Sequence, residues 1–273
     1  MAKSVLVTGS SSGIGKEVAM MFQRNGWNVA ASMRQPSRAV DLDRLDHMII
    51  PQMDVTNEAT IQKAIKQTLK EFGQIDVLVN NAGYGLFGPA EAATEEQIAR
   101  QMETNFLGTV RVIRAVLPHF RERGTGTIVN VTSVAGRLSS PMQSYYNASK
   151  WAVEGFSEAL YHELRPLGIR VKLVEPGPVR TDFLGRSLDM AKIEKDLSVY
   201  QSLSERVLGK LREMTETSGA SPLQVAQVVY RAATSRSWRL RYAGDKNARL
   251  ILLGRRLLPD VIFLGILRSV FSK

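Results

Sequence analysis

An apolar run over residues 4–8 (S-V-L-V-T) ends in G-S-S-S-G-I-G, and a helical pattern follows at once over residues 16–25. A buried strand that passes through glycines straight into a helix is the opening of a βα unit, and such units build parallel sheets. Gly9, Gly13 and Gly15 remove side chains where backbone must come close to a ligand. The helix start behind them directs N–H groups and a positive dipole end toward phosphates. The spacing G-x-x-x-G-x-G differs from the common dinucleotide fingerprint, so the neighbours must decide.

They continue the alternation. Residues 27–33, 48–53, 75–79, 128–133, 169–174 and 240–243 read as strands, and residues 61–72, 94–121 and 222–233, with a helix beginning near Ser144, read as helices. The end of the second strand is where a sheet of this kind meets an adenosine ribose, and an acid there would suit NAD. Met33 and Arg34 stand there instead, and a guanidinium suits a 2′-phosphate. NADP is therefore expected over NAD, with Ser11 and Ser12 as additional donors. After the third strand, Asp54 either accepts from an adenine amino group, with Val55 packed on the ring, or caps the next helix. The fourth strand runs into Asn80-Asn81-Ala82-Gly83, residues suited to a backbone held by side-chain hydrogen bonds. Asn105 lies inside the long helical pattern, where propensity disfavours it; its amide either holds a structural water or faces a neighbouring loop.

The chemistry gathers in residues 130–150, N-V-T-S-V-A-G-R-L-S-S-P-M-Q-S-Y-Y-N-A-S-K. Tyr146 and Lys150 share one helix face, one turn apart, and an ammonium beside a phenol favours the phenolate. That brings the tyrosine closer to acid or base duty near neutrality. Ser133, 13 residues earlier, supplies a hydroxyl to polarise a carbonyl. Y-x-x-x-K alone is common on amphipathic helices, so the spacing carries weight only together with the other motifs. His47, His119 and His162 lie in no motif, and no metal is inferred.

Composition narrows the class. The 273 residues hold no cysteine, no repeat and no apolar run long enough to span a bilayer, which removes disulfides and thiolate chemistry. The start lacks a secretory pattern, so a cytosolic protein is expected. Of the net charge of +10, residues 231–273 carry +8, from ten Lys or Arg against Asp245 and Asp260. A nearly neutral body argues against a nucleic-acid groove across the fold.

T-G-S-S-S-G-I-G, N-N-A-G, Asn105, Ser133, Y-N-A-S-K and P-G-P-V-R-T occur in one order, and together they resemble the short-chain dehydrogenases/reductases over residues 3–242. G-L-F-G-P, E-P-G-P-V-R-T and R-R-L-L-P-D look like the 17β-hydroxysteroid dehydrogenase-like branch. The resemblance implies one α/β domain over residues 1–273: a Rossmann-type, doubly wound, parallel seven-stranded sheet of order 3-2-1-4-5-6-7, with helices on both faces. It implies Tyr146 as acid and base, Lys150 lowering its pKa and holding the nicotinamide ribose, Ser133 fixing the substrate oxygen, and Asn105 holding a relay water. Thr8, Gly9, Ser11, Ser12, Gly13, Ile14 and Gly15 would meet the cofactor's phosphates. Asp54 and Val55 would meet the adenine, Asn81, Ala82 and Gly83 the adenosine side, and Pro176, Gly177, Val179 and Thr181 the nicotinamide end. The implied activity is NADP(H)-dependent interconversion of an alcohol with a ketone or aldehyde; a non-catalytic NADP(H)-sensing or scaffold protein is the alternative. Two departures stand out: Thr132 precedes the serine where serine is frequent, and Ser12 sits where many NADP enzymes carry a base.

Residues 183–216 form the substrate lid in the family, and Leu184, Leu188, Met190, Tyr200 and Leu203 there point to an apolar substrate, steroid-, retinoid- or lipid-like. The segment reads as a mobile flap or as plain surface helices. In the basic, apolar tail at 247–273, a helix from Asp260 would place Gly265, Arg268, Ser269 and Ser272 on one polar stripe. Three surfaces could receive the rest: the chain's own body beside the lid, a second subunit of a homodimer or homotetramer, or an anionic membrane.

Overall fold

Side chains of a strand alternate between the two faces of its sheet, and β1 (Ser4–Thr8) is buried on both. Val5 and Val7 enter one apolar layer and Leu6 the other. The computed structural model describes residues 2–39 and 41–272 and repeats that arrangement across the sheet.

The elements follow as α1 (Gly13–Arg24), β2 (Asn28–Ser32), β3 (Met48–Ile49), α2 (Glu58–Phe72), β4 (Val77–Asn80) and β5 (Gly85–Phe87). Next come α3 (Glu95–Met102), α4 (Gly108–Arg123), β6 (Gly126–Val131), α5 (Ser144–Leu164), β7 (Ile169–Glu175) and β8 (Leu188–Met190). The last are α6 (Gln201–Ser218), α7 (Pro222–Thr234), β9 (Arg241–Ala243), α8 (Lys246–Leu257) and α9 (Asp260–Ser272). Seven strands form one parallel sheet in the order β3-β2-β1-β4-β6-β7-β9. The order reverses between β1 and β4, and a cleft at such a reversal receives ligands beyond the strand C-termini. Val18, Ala19 and Phe22 of α1 pack with Val225, Ala226 and Val229 of α7 on one face. Residues of α2, α4 and α5, among them Ile61, Val112, Ile113 and Leu160, cover the other.

Three expectations change in detail. The third strand is two residues long, because Pro51 has no N–H for the ladder; a bridge between Met33 and Gln52 continues the pairing. The long helix is two, α3 and α4, joined by a π turn over Glu103–Leu107 that contains Asn105. Asn57, not Asp54, caps α2, accepting from the N–H groups of Ala59 and Thr60. The structure also contains a second sheet that the sequence reading lacks: β5 pairs in parallel with β8, three residues each.

The lid is therefore neither a free flap nor plain surface helices. Its start is tied down by β8, and Asp189 is held by Gln97 and Arg100 of α3. Its main helix, α6, buries Val207 in a small apolar cluster with Phe87, Met142 and Phe271, joined by Leu203 and Leu211 of α6 and Leu267 of α9. The tail thus packs one of its faces on the chain's own lid. Lys273, counted in the tail's charge, lies outside the described residues.

Candidate active site

Thr8 closes β1 and anchors the glycine turn from inside. Its hydroxyl accepts from the N–H groups of Asn81 at 3.0 Å and Ala82 at 3.1 Å, while the Asn81 amide donates back to the carbonyls of Thr8 and Gly9. The N-N-A-G segment after β4 is thereby clamped to the turn after β1. Two of the glycines answer to this packing: a Cβ on Gly9 would lie 2.8 Å from the Ala82 Cα, and one on Gly15 would lie 2.3 Å from the Gly9 carbonyl oxygen. Gly9 also has φ +70°, a conformation side chains disfavour. The protein's own backbone thus accounts for these two glycines, which the sequence reading assigned to ligand approach. Gly13 (φ +56°) faces the Thr181 methyl, which brings the P-G-P-V-R-T turn over the same spot.

The start of α1 suits an anion. Ser12 is its N-cap without a capping side-chain bond, and no acid lies in the first turn. Arg186 of the lid donates to the Ser12 hydroxyl, so a cation reaches the turn from the far side of the cleft. Arg34 is exposed just beyond β2. Ser11 lies partly exposed in the turn, and Ile14 packs on the core behind it. Asp54 folds onto its own turn, accepting from the N–H and hydroxyl of Thr56. Val55 packs against Gly108, where a Cβ would come within 2.7 Å of a valine methyl, so the mid-pattern glycine admits this contact. These groups fit a dinucleotide: donors and cations for phosphates at the turn, and a small acid beside a valine for a base.

α5 carries the chemistry. Tyr146 and Lys150 are both buried on its inward face, with the Lys150 ammonium 5.9 Å from the phenol ring centroid. That ammonium donates to the Val131 carbonyl at 3.2 Å. Burial pushes the Tyr146 phenol up to about 12, against the pull of the Ser133 hydroxyl, and lowers Lys150 to about 8. The ammonium was expected to bring the phenol toward neutrality; among the protein's own groups, desolvation outweighs it. Ser133 is held by Pro176, whose carbonyl accepts its hydroxyl at 3.4 Å, and it accepts from the Ala135 N–H.

Asn105 faces a neighbouring loop, the second of its two readings. Its oxygen accepts the Tyr84 N–H at 3.1 Å, and its amide donates to the Tyr84 carbonyl and the Ser149 hydroxyl. Gly83 lies between Asn105 and Lys150: a Cβ there would sit 3.1 Å from the Asn105 oxygen and 3.8 Å from the ammonium. Val179 bridges to Ala220, and Gly177 donates to Asp245, the cap of α8, at 3.0 Å. The structure thus brings Thr8, Gly9, Gly15, Asn81 and Ala82 together at the glycine turn, and Gly83, Asn105, Tyr146 and Lys150 together beside α5, while Asp54 is bonded within its own turn, Ile14 packs on the core and Arg34 stands exposed.

Sequence reasoning missed the acids beneath it. Glu154 follows Lys150 by one turn, is buried, and accepts the Thr132 hydroxyl at 2.6 Å, which gives the unusual threonine a partner. Arg241 of β9 reaches Glu154 at 3.1 Å, Glu158 at 2.6 Å and Glu175 at 3.6 Å. Burial, aided by the Glu154 charge, pushes Glu175 up to about 7. The i+4 spacing from Lys150 was the available signal for Glu154; nothing local marks Arg241, which arrives from the last strand.

Residues 3–192 match the short chain dehydrogenase family profile. This chain belongs to the short-chain dehydrogenase/reductase family. A 3-ketodihydrosphingosine reductase from Bacteroides thetaiotaomicron is 37% identical over 271 residues, covering 98% of this chain and 97% of that protein. Among solved structures, a short-chain dehydrogenase/reductase from Burkholderia phymatum in complex with NAD superposes with TM-score 0.82 at 26% identity, covering 97% of this chain and 95% of that one. ElxO with NADP bound superposes with TM-score 0.73 at 28% identity, covering 89% and 98%. The family's members are oxidoreductases, its structures bind either nicotinamide cofactor, and the seven-stranded parallel sheet is the shared frame.

Proposed function

We propose that this chain is an NADP(H)-dependent oxidoreductase that interconverts an alcohol with a ketone or aldehyde, with Tyr146 as acid and base. One observation carries the reading: a buried phenol beside the Ser133 hydroxyl, with an ammonium one helical turn along. In the reductive direction Tyr146 gives its proton to the carbonyl oxygen as charge develops there, and Ser133 donates a second hydrogen bond to the same oxygen. In oxidation the phenol oxygen takes the proton back. Lys150 holds positive charge near the phenol and keeps donors for a ribose. Asn105 braces the loop and the helix on either side and orders the route by which a water resupplies the proton. The nicotinamide cofactor supplies the hydride when bound.

NADP is preferred over NAD because Arg34 stands exposed beyond β2 and Arg186 adds a second cation at the turn. An apolar substrate is supported by the Phe183 ring of the lid, 5.7 Å from that of Tyr146. The relative named for 3-ketodihydrosphingosine reduction favours a lipid-like ketone. The 17β-hydroxysteroid dehydrogenase-like branch, a cytosolic setting, a single domain and a homodimer or homotetramer complete the reading.

The test is NADPH oxidation against a panel of steroid, retinoid and long-chain carbonyls, with wild type and Tyr146→Phe. The variant is expected to lose about 100-fold or more in kcat while still binding NADPH. A variant that matches wild type on every active substrate overturns the assignment, and a wild type that binds NADPH but turns over nothing favours the non-catalytic nucleotide sensor.

A further inference from the structure

The C-terminal hairpin, α8 followed by α9, is covered on one side only. Leu267, Val270 and Phe271 turn α9 toward the lid, while the buried Phe263 packs back on α8 beneath Arg255. The opposite surface around the bend between the two helices is apolar and open: Val261 is 84% exposed, Leu257 68% and Leu250 67%, with Leu253, Ile262 and Leu264 between them. Leu250, Leu253 and Leu257 recur at helical spacing and form one stripe along α8. A bare apolar patch of this kind is a place where something docks.

Charge decides what docks. Both tail acids are engaged: Asp245 accepts from the N–H groups of Gly177 and Ala248, and Asp260 pairs with Arg255. Lys246, Arg249, Arg256 and Arg268 are exposed, and among the described residues no carboxylate pairs with them. Arg249 and Arg256 lie one above the other along the same flank of the leucine stripe. Apolar side chains with cations at their border suit a surface that is apolar inside and anionic at its edge. None of the described helices is long and apolar enough to cross a membrane.

We propose that the α8–α9 hairpin is an interfacial docking element that lays Leu250, Leu257, Val261 and Leu264 into an anionic lipid surface, with Arg249 and Arg256 at the headgroups. Amphipathic helices bind this way through apolar insertion added to attraction for anionic lipid. A second copy of the chain would need acids opposite these arginines, and the exposed hairpin surface itself offers only Asp260, already paired. The proposal is independent of the substrate, since it rests on the outer face of the hairpin alone.

The test is sedimentation of the full-length protein with phosphatidylcholine vesicles, with and without phosphatidylglycerol, at low and high salt. Wild type is expected to pellet with the anionic vesicles at low salt and to be released by salt. Two paired variants separate the contributions: Val261→Asp with Leu264→Asp, and Arg249→Glu with Arg256→Glu. Each is expected to lower partitioning about tenfold or more, with unchanged circular dichroism and thermal midpoint. Wild type that stays in the supernatant with anionic vesicles overturns the proposal, as does undiminished binding by both variants. Dimers in analytical ultracentrifugation that the aspartate pair dissolves, without vesicle binding, would assign the face to a second copy instead.

Discussion

The Asn105 amide donates to the Ser149 hydroxyl at 3.1 Å, and that hydroxyl donates in turn to the Tyr146 carbonyl at 2.7 Å. The π turn between α3 and α4 is thereby fastened to the helix that carries the phenol. A π turn adds a residue to the helical ladder, which swings the Asn105 side chain inward to face Tyr84 and α5 at once. Removing the amide leaves the Tyr84 N–H without a partner, while the Tyr84 carbonyl keeps the Gln101 amide and the Ser149 hydroxyl keeps the Tyr146 carbonyl.

Asn105→Ala is therefore expected to lower kcat by about 10- to 100-fold and to reduce the thermal midpoint by several degrees, since one orphaned buried N–H costs about 1–3 kcal/mol. Ser149→Ala breaks one of the three bonds and should do less on both counts. A lowered midpoint with kcat intact would make Asn105 a purely structural residue.

The second expectation concerns pH. Reduction needs Tyr146 protonated and Lys150 charged; with the phenol near 12 and the ammonium near 8, the lysine titrates first as pH rises. The kcat/KM for carbonyl reduction should fall above pH 8, and Lys150→Arg, weaker throughout, should hold its residual activity to higher pH. A wild-type profile flat well beyond pH 8 would contradict this.

Arg34→Ala should raise the KM for NADPH about 10- to 100-fold and leave that for NADH nearly unchanged, because a charge-assisted phosphate contact contributes about 1.5–3 kcal/mol. Arg186→Ala tests the second cation in the same assay. Equal effects of Arg34→Ala on both cofactors would show that this guanidinium does not read the 2′-phosphate.

Glu175 gives a stability signature. Its folded value near 7 lies above the ordinary 4.5, so the folded protein binds the proton more tightly than the unfolded chain. Its contribution is present at low pH and is lost as pH rises between those two values, by on the order of 3 kcal/mol at most. Glu175→Gln should thus gain in thermal midpoint relative to wild type on going from pH 5 to pH 8. A constant difference across that range would mean that Glu175 does not titrate there.

What could be read from the residues follows a physical division. Strand–turn–helix order, the glycine turn and the Tyr146–Lys150 spacing are local, and each appears in the structure close to where the sequence put it. What escaped is made by residues far apart in the chain. The Arg241 clamp comes from the last strand, and Arg186 reaches Ser12 across the cleft. The β5–β8 pair joins two three-residue strands with too little pattern to announce themselves. The π turn was legible only as a polar residue in the wrong place, because hydrophobic spacing survives a single inserted residue. Gly9 and Gly15 were found for one reason and are held by another.

That small parallel pair divides the lid. Opening at Leu188 means breaking backbone hydrogen bonds to β5 together with the Asp189 contacts, whereas α6 rests on side-chain packing against α9. In amide hydrogen exchange the two parts should report as separate units, with residues 188–190 protected along with the sheet and α6 exchanging as the tail lets go. The 13-residue α9 is thereby expected to set how readily α6 lifts from the body.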